Sequence, residues 1–406
     1  MWENAVAEYE RYRQIFRDQR LPLAFVDLDK FDRNIAYVAA TQKGTGKTIR
    51  VHSKSIRSAP LLRRILDKGG PVFRGVMTYT MEETAFLADR GFDDFLVSYP
   101  TVQPSDMEIL TRLSAAGKEI ALVVDCIDHL RILSEAGRHA GVVLYACMEV
   151  DLSYRPMKTP VHLGVRRSPI RSVRDAVLLA RDSRDLQGVA IRSIMGYEAH
   201  IASVSDNLPG AQVKNRLIRL VKKASIRELT RRRVTIADKL RKEGLDIRIV
   251  NGGGSGSLLS TARDPSVTEV TAGSAFFAPG LFWHFKDVRF VPSAFFALQI
   301  VRLPAPDIIT CQGGGYVGSG PIGSDKLPVP VLPQGLTYLP LEGAGEVQTP
   351  LRLPRKRPAL GIGDPVFFQH AKAGELAERF NEFYLIRGMD IVDRVKTYRG
   401  EGRAFL

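Results

Sequence analysis

Along the chain, short runs of β-branched and aromatic residues alternate with longer stretches whose apolar positions recur at helical spacing. Up to about Ala278 the runs are Leu23 to Asp27, Thr48 to Ser53, Phe73 to Met77, Phe95 to Ser98, Ile120 to Asp125, Val142 to Val150, Val189 to Met195, Ile247 to Asn251 and Thr268 to Ala272. Repeated strand-then-helix patterning predicts a parallel sheet covered by helices, here an α/β fold of the (β/α)8 barrel type. Nine runs are one more than such a barrel needs. After Ser293 the chain becomes rich in Pro and Gly, with scattered strand-like runs at Phe295 to Val301, Val366 to Gln369 and Phe383 to Ile386. A smaller C-terminal β-rich domain is expected there, and 406 residues suit a barrel plus such a domain.

Charge changes this picture little. The formal net charge is +14, which invites a phosphate-binding reading. Between Ala211 and Lys242, however, twelve Lys or Arg stand against Glu228 and Asp238, so ten of the fourteen excess charges lie in one predicted helix. Leu217, Leu220, Val221, Leu229, Ile236 and Leu240 punctuate it at helical spacing, which predicts a docked apolar stripe and a wet basic face. No aromatic residues interleave the charges, so no nucleic-acid partner is expected. No segment approaches the ~20 uninterrupted apolar residues of a membrane span, and Met1 to Arg20 is charged and polar throughout, which predicts a non-exported, cytoplasmic protein. Cys126, Cys147 and Cys311 lie far apart, without Cys-x-x-Cys spacing, as suits a reducing compartment.

Chemistry in a barrel gathers at the C-terminal ends of the strands. The second run ends in Val51-His52-Ser53-Lys54, the seventh leads into Gly196-Tyr197-Glu198-Ala199-His200, the eighth into Asn251-Gly252-Gly253-Gly254-Ser255-Gly256, and the ninth into Ala272-Gly273-Ser274. Two Gly/Ser loops on adjacent strands can aim backbone N–H groups at a phosphate. A lysine on the same rim can form an imine with a cofactor aldehyde. Singly, each feature is equally the mark of a surface charge, a turn or a structural aromatic residue; their coincidence on one rim is what points to a site.

These motifs resemble the D-threonine aldolase and D-serine dehydratase group of the alanine racemase type of pyridoxal 5'-phosphate (PLP) enzymes. Arg50-Val51-His52-Ser53-Lys54 is similar to the group's cofactor-lysine motif, Phe25-Val26-Asp27-Leu28-Asp29 with Asn34-Ile35 to its opening strand and helix, Asp93 to Pro100 to another strand, and Gly196 to His200 to its Gly-Tyr-Glu-Gly-His segment. The resemblance implies PLP held as a Schiff base on Lys54, with His52 beside it and Tyr197 against the cofactor ring. It implies a phosphate cradle from Gly253, Gly254, Ser255, Gly273 and Ser274, with Thr271 facing the pyridine nitrogen, where a neutral hydroxyl would not keep that nitrogen protonated. Either Arg155 or Arg166 would reach the phenolic oxygen. The resemblance also implies three segments: residues 1–28 packing with the C-terminal domain, a barrel over 29–285 and a β domain over 286–406. The first strand then leaves the barrel, and a homodimer shares the active site.

The pattern departs from the group at one place. Metal-dependent members carry a His-x-Cys or His-x-Asp pair in the β domain, where this chain has His370-Ala371-Lys372. An ammonium cannot ligate a metal. Either His370 and Glu375 hold a divalent ion, or His370 and Lys372 act without one, or His370 is structural. The expected activity is therefore that of a lyase, aldolase or dehydratase, on a β-hydroxy amino acid of D configuration, with Lys54, Tyr197, His370 and Lys372 as the catalytic candidates. Amino acid racemase and non-catalytic PLP-binding protein are the alternatives.

Overall fold

The structure is a computed structural model that describes residues 4–156, 160–321, 323–356 and 358–405. The first strand, β1 (Leu23–Asp27), is set apart from the eight that follow. These are β2 (Thr48–His52), β3 (Phe73–Thr78), β4 (Phe95–Val97), β5 (Ile120–Val124), β6 (Leu144–Glu149), β7 (Val189–Gly196), β8 (Ile249–Gly252) and β9 (Glu269–Ala272). They form a closed parallel barrel in sequence order. Closure runs through β2 and β9, where Ile49 lies opposite Val270 and Val51 opposite Ala272.

The barrel is filled. Met77, Leu96, Val123, Cys147 and Met195, one from each of five consecutive strands, pack together in its interior, as layers of inward side chains do in such folds. Arg50 on β2 is fully buried with them. Its Nε donates to Glu269 Oε1 at 2.7 Å and its Nη2 to Asp94 Oδ1 at 2.8 Å. Asn251 Nδ2 donates to the same Glu269 oxygen at 2.7 Å. A charge this deep is tolerated because both partners are ionic and the remaining hydrogen bonds are made.

The remaining strands are β10 (Ala294–Ala305), β11 (Ile308–Gln312), β12 (Val329–Leu332), β13 (Thr337–Tyr338), β14 (Gln348–Arg352), β15 (Pro365–Gln369), β16 (Glu382–Arg387) and β17 (Asp390–Lys396). They join β1 in a second sheet of order β13-β14-β11-β10-β1-β16-β17, with β15 also pairing β10 and β12. The surplus ninth run of the sequence is thus accounted for: β1 runs antiparallel to β10 and parallel to β16, at the centre of the C-terminal domain. All five of its residues are buried. One face, with Phe25, packs against Tyr12 and Phe16 of the N-terminal segment together with Phe295 and Phe367. The other, with Ala24 and Val26, joins the main core. Burial on both faces explains why this run shows no polar alternation.

The long basic helix spans Gln212–Lys242, but the apolar stripe differs from expectation. Leu229, Ile236 and Leu240 are buried, whereas Leu217 and Leu220 are 61% and 58% exposed. The N-terminal half is fastened by polar groups instead. Asn215 Nδ2 donates to Leu208 O and its Oδ1 accepts from Leu208 N, and Lys222 Nζ donates to Val204 O and Asp206.

Candidate active site

The end of β2 turns tightly through Ser53–Ser55, and this turn presents Lys54. Lys54 Nζ donates to Tyr99 Oη at 2.8 Å. Burial works to raise the Tyr99 phenol, but Lys54, through its charge and its hydrogen bond, together with Arg167 draws it below the ordinary tyrosine range. The turn is gripped from the C-terminal domain. Gly374 sits so close to the Lys54 carbonyl oxygen that a Cβ there would run into it. Arg57 Nε donates to the same oxygen at 3.1 Å, and the Arg57 guanidinium also pairs with Glu378. Tyr398 N donates to Arg57 O at 2.8 Å. Barrel and β domain therefore meet at the one lysine the motif singles out.

Within the Arg-x-His-x-Lys motif the three side chains divide. Arg50 belongs to the buried ionic plug below the site. His52 lies in the wall with its Nε2 buried and unsatisfied. Burial, reinforced by Lys54, Arg167 and Arg57, drives its pKa well down, so it stands neutral.

Beside this turn, because β9 pairs with β2, the loops after β8 and β9 are stitched together. Ser255 Oγ accepts from Gly273 N at 3.3 Å and from Ala275 N at 3.0 Å. Gly273 is required by close approach: a Cβ there would meet Ser55 Oγ at 2.7 Å and His52 Cβ at 3.1 Å. Gly253, with φ +84°, donates to Glu198 Oε2 at 3.1 Å. A Cβ on Gly254 would touch the Tyr197 ring at 3.1 Å, so that ring backs directly onto the loop. Among the described residues, the backbone amides of Ser255, Gly256 and Ser274 donate to no protein acceptor. Three free amides on two neighbouring glycine and serine loops form a concavity suited to a phosphate.

Thr271 lies one strand step below Gly273. Its hydroxyl donates to Asn251 Oδ1 at 2.9 Å, an orientation enforced because Asn251 Nδ2 must donate to the Glu269 carboxylate. Thr271 therefore offers only lone pairs to anything else.

Arg155 pairs with Asp151 at 2.9 Å, and Arg166 and Arg167 are both exposed. The arginine over the site is Arg167, whose guanidinium lies 5.5 Å from the Tyr99 ring centre and 5.7 Å from that of Tyr197. It sits in a loop without periodicity, where the sequence offers two adjacent arginines and no signal to separate them. Glu198, quoted only as part of the Gly196 to His200 segment, and Arg233, counted only among the basic residues of the long helix, carry roles that the sequence does not disclose. Glu198, buried, binds Arg233 Nη2 at 3.0 Å, and Arg233 Nη1 bonds Asp264 at 2.6 Å. One of the twelve basic residues of the long helix thus braces the glycine loop rather than facing water.

His370 directly follows β15, and both its ring nitrogens are buried without a hydrogen-bond partner. Burial, opposed only by the Ala294 backbone, lowers its pKa to about 4. It lines a pocket of about 300 Å³ with Tyr316, Ser319, Lys372 and Glu375. Lys372 Nζ donates to Ser319 Oγ at 2.7 Å and lies 3.9 Å from Glu375, while Glu375 Oε2 accepts from Ser319 N at 2.9 Å. Among the described residues, neither His370 nor Glu375 belongs to a set of three His, Cys, Asp or Glu donors within 4.8 Å of one another. An ammonium stands between their positions in sequence, and the donor set does not suit a divalent cation.

Residues 26–279 match the family described as alanine racemase, N-terminal domain. A D-threonine aldolase of Arthrobacter sp is 25% identical over 297 residues, 72% of this chain and 71% of the relative. The crystal structure of D-threonine aldolase from Filomicrobium marinum superposes with a TM-score of 0.79 at 22% identity, covering 94% of this chain and 96% of that one. D-threo-3-hydroxyaspartate dehydratase from Delftia sp. HT23 gives 0.75 at 18% identity, covering 93% and 97%.

Proposed function

The chain belongs to the alanine racemase N-terminal domain family, and from that premise we propose that it is a PLP-dependent lyase acting on a β-hydroxy amino acid of D configuration. The observation that carries this reading is the presence of Lys54 at the end of β2 and of the free amides of Ser255, Gly256 and Ser274 on the neighbouring loops of the same barrel rim. Its relatives are a D-threonine aldolase and, in fold, an aldolase and a dehydratase of hydroxy amino acids. When bound, PLP supplies a sink for the electron pair released at the substrate α-carbon.

The chain's own residues then take these roles. Lys54 Nζ holds the cofactor and moves the proton at the α-carbon, with Tyr99 Oη fixing the amine's direction. Ser255, Gly256 and Ser274, with Gly253, Gly254 and Gly273 shaping the loops, hold the phosphate. Tyr197 lies against the ring, and neutral His52 flanks it. Arg167, rather than Arg155 or Arg166, faces the phenolic oxygen. Thr271 meets the pyridine nitrogen with lone pairs alone, so it can accept a hydrogen bond there and cannot donate one. Lys372 supplies positive charge at the position where the family pattern has a metal ligand, and it acts on the substrate β-hydroxyl, with the buried His370 supporting the wall behind it. No step is assigned to a metal at this place.

The β domain's grip on the Lys54 turn favours an enzyme over a passive cofactor carrier. A homodimer, and a cytoplasmic setting suited to three unpaired cysteines, complete the proposal. The test is borohydride reduction of PLP-loaded protein, followed by peptide mapping and a panel of D- and L-amino acids. Label on Lys54 is expected, with aldehyde plus glycine marking an aldolase and oxo acid plus ammonia a dehydratase. Label on another lysine, or decay of optical rotation without either product pair, sinks the lyase assignment.

A further inference from the structure

We propose a second site, on the same barrel rim: a divalent transition-metal site built from Asp125, Cys126 and His129 at the end of β5. Their donor atoms, one carboxylate oxygen, one thiol sulfur and one imidazole nitrogen, all lie within 4.8 Å of one another. The local fold brings them together. Asp125 directly follows β5, Cys126 is the N-cap of the helix Ile127–Ala140, and His129 returns over the cap from the first turn of that helix. The spacing Asp-Cys-x-x-His thus sits across a strand-to-helix corner, where residues i and i+4 share one face.

The geometry at the centre of the cluster is that of a chelate. His129 Nδ1 lies 3.2 Å from Asp125 Oδ1. Two ligand atoms held on one zinc ion by bonds of ~2.0–2.2 Å at a tetrahedral angle stand about 3.3–3.6 Å apart, so the observed pair needs to open only slightly. Asp125 N lies 3.3 Å from the same Nδ1, so without metal this nitrogen either accepts from that amide or, as the Nδ1–H tautomer, donates to the carboxylate, and a metal ion would replace these contacts with a bond to each donor. Among the described residues, no lysine or arginine forms an ion pair with Asp125. The Cys126 thiol makes no capping hydrogen bond, which leaves its sulfur available as the third donor. All three residues are only partly buried, so an ion can enter.

Thiolate, imidazole and carboxylate together select zinc or cobalt over magnesium or calcium, which prefer oxygen alone. Three protein donors leave a fourth position to water or to an incoming ligand. The site is separate from the His370 pocket, which stands in the other domain. Metal binding displaces the protons of the thiol and, when present, of the imidazole, so affinity should fall as the medium is acidified.

The experiment titrates the full-length protein, freed of metal, with Co²⁺ alone and then displaces it with Zn²⁺. One equivalent should bind with a thiolate-to-cobalt charge-transfer band, and Zn²⁺ should abolish the band. Cys126→Ser should remove the band, and both Cys126→Ser and His129→Gln should weaken Zn²⁺ binding by at least tenfold. The serine variant keeps its fold because serine is a better N-cap than cysteine, a point that circular dichroism checks. Cys147 and Cys311 are buried, so a thiol reagent reads Cys126 in the native protein and Zn²⁺ should protect it. Absence of the band, absence of protection, or full Zn²⁺ affinity in the doubly substituted protein overturns the site. Loss of affinity in Glu375→Gln instead would move the ion to the β domain and overturn it equally.

Discussion

Replacing Gly374 with alanine tests whether the C-terminal domain positions the lysine turn. Gly374 has φ +89°, and an added Cβ would run into the Lys54 carbonyl oxygen while approaching Ser55 Cα at 3.1 Å. Both neighbours are backbone, so no side chain can swing aside. Two costs add. The left-handed conformation costs an L-residue about 1–2 kcal/mol, and overpacking against fixed atoms about 1–3 kcal/mol more. Gly363 is the control, because at φ +96° nothing lies within 4 Å of its would-be Cβ. Gly363→Ala therefore carries only the first cost. Chemical denaturation should place Gly374→Ala below Gly363→Ala by the collision alone, about 1–3 kcal/mol. If the displacement falls on the Lys54 turn, PLP affinity in a titration should drop by about 5- to 150-fold, at 1.4 kcal/mol per factor of ten. Gly363→Ala should bind PLP like the wild type. Equal stability of the two variants, or unchanged PLP affinity in Gly374→Ala, would refute the idea that the β domain sets the lysine.

Other consequences are open to direct measurement. Lys372→Ala should reduce turnover by about 100-fold or more, as loss of a positioned charge or acid commonly does, while PLP absorbance persists; wild-type turnover in this variant removes Lys372 from the mechanism. Glu198→Gln leaves Arg233 without half of its buried ion pairing, and equilibrium unfolding should show a loss of about 3–5 kcal/mol. Burial lifts the Glu83 carboxyl to about 7, above its unfolded value, so the folded state holds an extra proton across the interval between the two. Stability should then fall as pH rises through roughly 5 to 7, by up to about 3 kcal/mol from this group. Glu83→Gln should flatten that slope, and an unaltered pH profile would contradict it.

The barrel was legible in the sequence because its strands are short β-branched runs bounded by helical patterns, and each observed strand from β1 to β9 overlaps its run closely. Exclusion of β1 from the barrel was not legible from pattern alone, since nothing local distinguishes a run buried in one sheet from a run buried in another; the family resemblance supplied it. Lys54 and the two glycine loops were readable because each follows directly on a strand. Arg167, Glu198 and Arg233 were not, because their partners are remote: Arg167 meets Tyr99 and Tyr197, and Arg233 meets Glu198 and Asp264. The misplaced stripe at Leu217 and Leu220 has the same origin, for Lys222 is buried by its bonds to Val204 and Asp206, which no helical periodicity encodes. Asp125, Cys126 and His129 could have been found, since Asp-Cys-x-x-His follows a predicted strand.

The central position of β1 governs the order in which the molecule can be completed. Residues 23–27 leave the ribosome before the barrel, yet their partners are residues 294–297 on one side, for 23–26, and 383–386 on the other, for 24–27. A nascent chain therefore carries Leu-Ala-Phe-Val unpaired on both edges while the whole barrel is synthesised. Pairing of such remote segments is slow, and an apolar strand with two open edges is an invitation to association. Chaperone dependence during expression, and aggregation of fragments truncated before residue 383, should therefore trace to β1 rather than to the barrel that carries the chemistry.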